Sequence, residues 1–395
     1  MSMKPKFSFL SLVTIVGLLA VGAQPVEAAS AKAGSACTTL GKSAAQGAFR
    51  LKCTKVGKKL VWVAVSANES SSGNSTVNNS PAPTSTPSPS ATETLAAPAS
   101  NVGEAWTNSK FVKPSSSSAV SAAASAAFED YVATNRWPDD KVVVWAETGS
   151  DPTVVTWVSA GASLVATTFE KPKSIGAFND VISVTREYLV STFTKLYSAD
   201  MANNQAGAWD AGSPAWGGRT SNGWSMPSII KNKSLTNDRA GIAQTAGHEY
   251  FHAIQENFAN ARGTNCGACG TPQWFWEGPA MFVGLETSSH LKFVSYQDGR
   301  QTMVNRVSGS PTAKLLLSQV KDNTPPSVDP YGIGEIATEF LVANVGMKKF
   351  VDIYRKVGTG LPFDLAFQIA TGVPLNDFYL MFEDSRAALG IPQAK

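Results

Sequence analysis

The sequence is poor in the residues that most often carry chemistry. It has three histidines and four cysteines among 395 residues, and only 16% of its residues are charged. A net charge of +3 gives no basis for nucleic-acid binding. A hydrophobic content of 43% excludes a chain that is disordered throughout. The length suits two or three domains, one of which can bury a large core.

Long apolar runs are also missing, except near the N-terminus. Lys4 and Lys6 precede a mostly apolar stretch from Phe7 to Gly22, and Val26-Glu27-Ala28 has the small-x-small pattern of a cleavage site. The alternative is a membrane anchor, but the stretch is shorter than the ~20 residues that a spanning helix needs. We therefore expect residues 1–28 to be a signal peptide. The mature chain is expected to be secreted or associated with the cell envelope, with no membrane span.

An even number of cysteines in an exported chain indicates disulfides. Four cysteines allow three connectivities, so the spacing alone does not fix the pairing. Proximity favours one pair between Cys37 and Cys53 and a second between Cys266 and Cys269.

Composition divides the rest of the chain into three parts. Residues 31–66 form a small module with seven lysines and arginines and no acidic residue. Residues 67–102 are rich in Ser, Thr, Asn, Pro and Ala, as in a linker, and residues 103–395 form the main domain. The cysteine and glycine spacing of the module resembles small modules of exported actinobacterial proteins. Its basic character predicts either attachment to an anionic polymer of the cell envelope or a solvated face without a partner.

Two of the three histidines fall within five residues, in His248-Glu249-Tyr-Phe-His252. The surrounding stretch from Arg239 to Ala259 has no proline, and its apolar residues recur at helical spacing. Residues four apart lie on one face of a helix, so both imidazoles can reach one metal ion, with Glu249 beside it. A chance match on a core helix is the alternative.

A downstream segment makes the pattern more specific. Glu277 lies 25 residues after His252, within Trp-Glu-Gly-Pro-Ala, and Tyr331 opens the segment Tyr-Gly-Ile-Gly. HExxH followed by such a glutamate resembles the gluzincin zinc metallopeptidases, and the stretch from about 240 to 388 resembles a peptidase MA-like domain of a secreted actinobacterial type. Tyr331 resembles the tyrosine that stabilises the transition state in the aminopeptidase N branch.

The resemblance implies a complete active site. His248, His252 and Glu277 would hold one Zn²⁺ per chain, and Glu249 would take a proton from a zinc-activated water. Tyr331 would donate to the oxyanion, although a tyrosine packed in the core is the alternative. The implied fold is α+β, with a small mixed sheet packed on the HExxH helix and a mostly helical C-terminal subdomain after it.

The function that follows is that of a hydrolase, a secreted zinc-dependent endopeptidase that acts on proteins or peptides. The sequence has no Gly-x-Met-Glu-Asn segment before HExxH to hold a free amine, so we expect internal cleavage. Two alternatives stay open. One is an envelope-binding or adhesion protein on a peptidase-like scaffold, and the other is a zinc amidase that acts on a non-protein amide.

Periodicity also predicts the other elements. The strands are expected at 141–147 and 180–185, with an edge strand beside the active site at 225–231, and loops at 202–226. The helices are expected at 117–135, 151–169, 186–197, 279–287, 293–305, 331–345, 347–357, 361–371 and 375–388. Glu256, Glu286 and Asp329 are candidates to orient the ligands, and His290 is expected at the surface.

Overall fold

The protein has a mostly helical α+β fold, which confirms the predicted class. The computed structural model describes residues 36–46, 49–56, 59–65, 97–138, 142–170, 177–211, 218–220, 223–229, 239–259, 270–321 and 328–394. The predicted signal peptide, residues 67–96 of the predicted linker, and Cys266 and Cys269 lie outside these ranges. Across these ranges, none of the helices combines the length and apolar character needed to cross a membrane.

The basic module contains a three-stranded antiparallel sheet. Its strands are β1 Ser43–Gln46, β2 Phe49–Val56 and β3 Lys59–Val65, in the order β1-β2-β3. A disulfide joins Cys37, before β1, to the buried Cys53 of β2. The Cys37–Cys53 pairing is thus confirmed.

The main domain has four strands and eleven α-helices within the described ranges. The strands are β4 Val142–Ala146, β5 Ala177–Ser183, β6 Gly218–Thr220 and β7 Gly223–Ile229. The helices are α1 Val102–Asn108, α2 Ser117–Thr134, α3 Pro152–Thr168, α4 Arg186–Leu196, α5 Ala199–Asp210, α6 Arg239–Ala259, α7 Gln273–His290, α8 Tyr296–Ser308, α9 Pro330–Gly358, α10 Phe363–Thr371 and α11 Leu375–Leu389.

The four strands form a sheet in the order β4-β5-β7-β6. β4, β5 and β7 run parallel, and β6 pairs antiparallel to β7. β7 is the strand predicted near 225–231. It was expected at the edge of the sheet, but its residues 223–225 pair with β6, which is the outer strand there. The prediction missed β6, which has only three residues.

The prediction of loops over 202–226 is wrong for α5. The hydroxyl of Ser198 accepts from the backbone N–H of Met201 and so caps this helix. Gly207 lies inside the helix, where a glycine costs only about 1 kcal/mol relative to alanine. Trp209 is buried and helps to hold the helix against its neighbours.

Helix α7 begins six residues before the predicted start at 279. Pro279 lies inside the helix and lacks the N–H that would bond to the carbonyl of Phe275. In the structure the hydroxyl of Tyr354 donates to that carbonyl over 2.8 Å. A side chain from α9 therefore satisfies the group that the proline leaves open.

Helix α9 combines the two helices predicted on either side of residue 346. The break is at Gly346, whose φ of 75° favours glycine. The carboxylate of Asp329 caps the start of α9 by accepting from the N–H of Tyr331. Near this end α9 crosses α7 so closely that a Cβ on Gly278 would stand 2.1 Å from the carbonyl carbon of Gly334. This crossing brings the beginnings of the two helices together.

A buried acidic cluster fastens α9 to α8. The hydroxyl of Tyr296 lies 2.6 Å from a carboxyl oxygen of Glu335 and 2.9 Å from one of Glu339. One hydroxyl has one proton, so one of the two carboxyls must be protonated and donate to the tyrosine. Burial raises the pKa of Glu339, but the Arg300 guanidinium, which donates to it over 2.6 Å, opposes this shift, so Glu339 is the ionised partner of the two. Glu335 holds the proton, and burial and then the charge of Glu339 raise its pKa to about 8.

Glu286 of α7 belongs to the same buried region. It accepts from the hydroxyl of Ser125 over 2.7 Å, and burial raises its pKa to about 8. His290, predicted at the surface, is partly buried and pairs with Glu129 of α2 over 2.9 Å. Neither residue is among the groups that converge on the site described next.

Candidate metal centre

Helix α6 covers the whole predicted stretch from Arg239 to Ala259, and the predicted apolar face is buried. That face consists of Ile242, Ala246, Phe251, Ile254 and Phe258. Asn237 and Asp238, whose side chains are of the types that commonly cap helices, lie outside the described residues. Burial of this face fixes the rotation of the helix, and the two histidines, one turn apart, therefore point to the same side.

Three side chains converge at this point. The Nε2 atoms of His248 and His252 lie 3.0 Å apart, and a carboxylate oxygen of Glu277 lies 3.5 Å from the first and 3.2 Å from the second. The ligand atoms of all three residues lie within 4.8 Å of one another, and the group can hold a metal ion. His248 is buried, and the other two are partly buried.

These separations suit one tetrahedral ion. Two ligand atoms bound at about 2.05 Å with a tetrahedral angle between them stand about 3.3 Å apart. The observed separations of 3.0, 3.2 and 3.5 Å lie on both sides of this value. The same distances also suit hydrogen bonds among the groups in the metal-free protein. Two imidazoles and one carboxylate form a donor set that zinc prefers.

Charge attraction holds the Glu277 carboxylate against the imidazoles. Burial opposes the charged form of His252, but the Glu277 carboxylate outweighs it and raises the pKa of His252 to about 9. Burial would likewise raise the pKa of Glu277, but His252 and His248 hold it well below its usual range. The carboxylate is therefore ionised and available as a ligand at any ordinary pH.

Glu249 lies beside the three converging groups. Its negative charge contributes to raising the pKa values of His252 and Tyr331, so it lies near both of these residues. It also acts on Asp180 of β5, whose pKa is raised well above its usual range by burial and then by Glu249. Asp180 is buried, and neither of its carboxyl oxygens has a hydrogen-bond partner among the residues that the structure describes.

Tyr331 also reaches the site. Its ring lies 6.0 Å from that of His248, and the Arg306 guanidinium lies 5.0 Å from the tyrosine ring. Arg306 bonds in turn to Asp329, the predicted orienting acid, which caps α9. Asp329 thus acts on the start of the helix and makes no direct contact with the histidines.

Two residues that support the site were not found from the sequence. Trp276 stacks on His252 with ring centroids 5.3 Å apart, and the side chain of Gln255 bonds to Nδ1 of His252 over 2.7 Å. Gln255 lies three residues after His252, a spacing that places it on the same side of the helix. Asp180 was not recognised from the sequence either. The signal that could have identified it is an acidic residue inside an otherwise mostly apolar strand.

Comparisons with known proteins add nothing to this geometry. No protein-family model matches the sequence, and no curated protein or solved structure matches it either.

Proposed function

We propose that this protein is a secreted zinc-dependent endopeptidase of the gluzincin type. The observation that carries the proposal is the convergence of His248, His252 and Glu277 at separations that suit one tetrahedral ion. Further support comes from β5 and α6. The ring centroids of Phe178 and Tyr250 lie 4.2 Å apart, as expected if the sheet packs on the HExxH helix.

Each residue of the site has a part in the proposed mechanism. His248, His252 and Glu277 would hold the ion. Zinc supplies a Lewis acid that activates water and polarises the carbonyl of the bond to be cleaved. Glu249 takes the proton from the attacking water and passes it to the leaving amine. The hydroxyl of Tyr331 stays protonated, because its pKa is raised by burial and then by Glu277 and Glu249, and it donates to the developing oxyanion.

Secretion and the two-module organisation are part of the proposal. The Cys37–Cys53 disulfide is typical of proteins that fold in an oxidising compartment. The N-terminal sequence has the features of a signal peptide, and the basic module would serve as an attachment to an anionic envelope polymer.

A comparison of wild type with Glu249→Gln tests the function. The amide keeps the shape of the side chain and removes the base, so cleavage of a casein-like substrate should fall by about 10²–10⁴-fold while zinc stays bound. Glu187→Gln, the same change at an exposed helix position in α4, is the control and should cleave like wild type. A chelator should abolish cleavage by the wild-type protein.

Two outcomes would count against the endopeptidase. Undiminished cleavage by Glu249→Gln would remove its assignment as the base. A zinc-loaded wild-type protein that cleaves no protein substrate would favour the amidase or the adhesion protein instead.

A further inference from the structure

We propose that Gln255 is a positioning residue that holds His252 in the tautomer whose Nε2 is free to bind a metal ion. The proposal deepens the proposed function and rests on it. It also assigns a second task to the segment that carries Glu277, because that segment fixes the orientation of Gln255.

Hydrogen bonds to a backbone carbonyl determine which way the amide faces. The carbonyl oxygen of Trp276 can only accept, and it lies 2.8 Å from the side-chain end of Gln255, so the amide nitrogen must be there. The amide oxygen is then the atom 2.7 Å from Nδ1 of His252. An oxygen at that distance requires a proton on Nδ1, and the lone pair of a neutral ring is therefore on Nε2. Nε2 is the atom that faces His248 and Glu277.

A second carbonyl strengthens this assignment. The amide nitrogen of Gln255 also donates to the hydroxyl of Tyr354 over 2.9 Å. That hydroxyl donates to the carbonyl of Phe275, the group that Pro279 leaves without a helical partner. The donor protons of Gln255 and Tyr354 are thus directed by the carbonyls of Trp276 and Phe275. These two residues directly precede Glu277 in the chain.

Burial protects the hydrogen bonds that connect His252, Gln255 and Tyr354. Gln255 is fully buried and Tyr354 is nearly so, so bulk solvent does not reach these hydrogen bonds. These hydrogen bonds join α6, α7 and α9, so the tautomer of His252 is fixed only when the beginning of α7 is in place. His248 has no equivalent: among the described residues, its buried Nδ1 has no hydrogen-bond partner.

The test replaces Gln255 by methionine, which is similar in length and cannot bond to His252. Loss of such a hydrogen bond to a metal-binding histidine typically weakens metal binding by about 10–100-fold. We expect the zinc dissociation constant of Gln255→Met, measured by competition with a chromophoric chelator, to rise by that factor. Gln244→Met is the matched control, since Gln244 lies on the same helix and its amide only approaches the sulfur of Met281 at 3.9 Å. That variant should keep the wild-type affinity.

A spectroscopic measurement separates positioning from general damage. In wild type and in Gln244→Met, NMR should show a proton on Nδ1 of His252 that exchanges slowly with solvent, with or without zinc. In Gln255→Met, near-UV circular dichroism should stay native while this proton exchanges fast. If wild type binds no zinc the proposed function fails, but NMR at a pH above the pKa of His252, where the ring is neutral, still shows whether its single proton is on Nδ1. A fast-exchanging Nδ1 proton in wild type, unchanged zinc affinity in Gln255→Met, or an equal loss in both variants would overturn the inference.

Discussion

Among the single residues of the site, Tyr331 lies between charges of opposite sign. The Arg306 guanidinium is 5.0 Å from its ring, and burial, followed by the carboxylates of Glu277 and Glu249, raises the pKa of its hydroxyl. Burial and the two carboxylates thus keep the hydroxyl protonated. A protonated hydroxyl is a hydrogen-bond donor that needs no change of charge during a reaction.

We predict that Tyr331→Phe lowers kcat more than it raises KM. The hydroxyl would bond mainly to the oxyanion of the transition state, so its loss should cost on the order of 10²-fold in kcat. Steady-state kinetics on a peptide substrate measure this. Tyr188→Phe, the same change in α4, serves as the control. An unchanged kcat in Tyr331→Phe would return Tyr331 to the alternative of a packed core residue.

Among the elements, the crossing of α7 and α9 decides whether Glu277 meets the histidines. The two helices touch through backbone at Gly278 and Gly334, and Gly278 directly follows Glu277. A side chain at this contact forces the helices apart. This close contact explains the glycine at position 278 in Glu-Gly-Pro-Ala and the glycine at position 334 in Tyr-Gly-Ile-Gly.

We predict that Gly278→Ala both destabilises the fold and weakens zinc binding. The added methyl group would stand 2.1 Å from the backbone of Gly334, and overpacking of this kind costs about 1–3 kcal/mol or more. Gly207→Ala is the matched control, because a Cβ there meets nothing within 4 Å. It should raise the free energy of unfolding by about 0.4–1 kcal/mol. Urea unfolding and chelator competition measure both effects, and a Gly278→Ala protein as stable as wild type would contradict the role of the crossing.

The acidic cluster beneath that crossing predicts a pH dependence. Glu335 has a pKa of about 8 in the folded protein, above its ordinary value of 4.5. The folded state then holds a proton that the unfolded state releases. The stability that this proton supplies is complete below the unfolded-state pKa and is lost as the pH rises through about 8. Between the two pKa values, the free energy of unfolding falls by about 1.4 kcal/mol for each unit by which the pH rises.

Glu335→Gln should therefore flatten the decline of stability between the two pKa values by about that slope, because the amide can donate to Tyr296 at every pH. Urea unfolding at several pH values measures the free energy of unfolding of both proteins. The contributions of Glu286 and the other titrating groups are common to both and largely cancel in the difference. Glu339→Gln is the contrasting variant, since it leaves the buried Arg300 unpaired and should destabilise the protein throughout. Parallel pH profiles for wild type and Glu335→Gln would refute the assignment of the proton.

Local sequence signals predicted the elements, but not the contacts between them. The period of α6 and the Asp151 cap of α3 depend on neighbouring residues, and both were predictable. The start of α7 was not, because Tyr354, which satisfies the carbonyl freed by Pro279, is 79 residues away from Phe275. Gln255 is identified as a support of His252 only once its contacts with Trp276 and Tyr354 are known.

At the scale of the whole molecule, the parts of the site come from distant stretches of chain. α6 carries both histidines, α7 carries Glu277, and α9 carries Tyr331. The buried residues of these helices belong to one hydrophobic core cluster, which also holds the helices of the C-terminal half in place. In the proposed site one zinc ion joins α6 to α7, so zinc binding requires the folded protein and not only the HExxH motif.

The zinc content of the purified protein tests the proposed metal site. Elemental analysis after dialysis should find one zinc per chain in wild type and in Glu249→Gln. Competition with a chelator should find at least a tenfold weaker affinity in His252→Ala and Glu277→Ala. Retention of zinc by Glu249→Gln separates the ligands from the base. A wild-type protein that takes up no zinc, or a Glu277→Ala variant that binds it as tightly as wild type, would rule out this site.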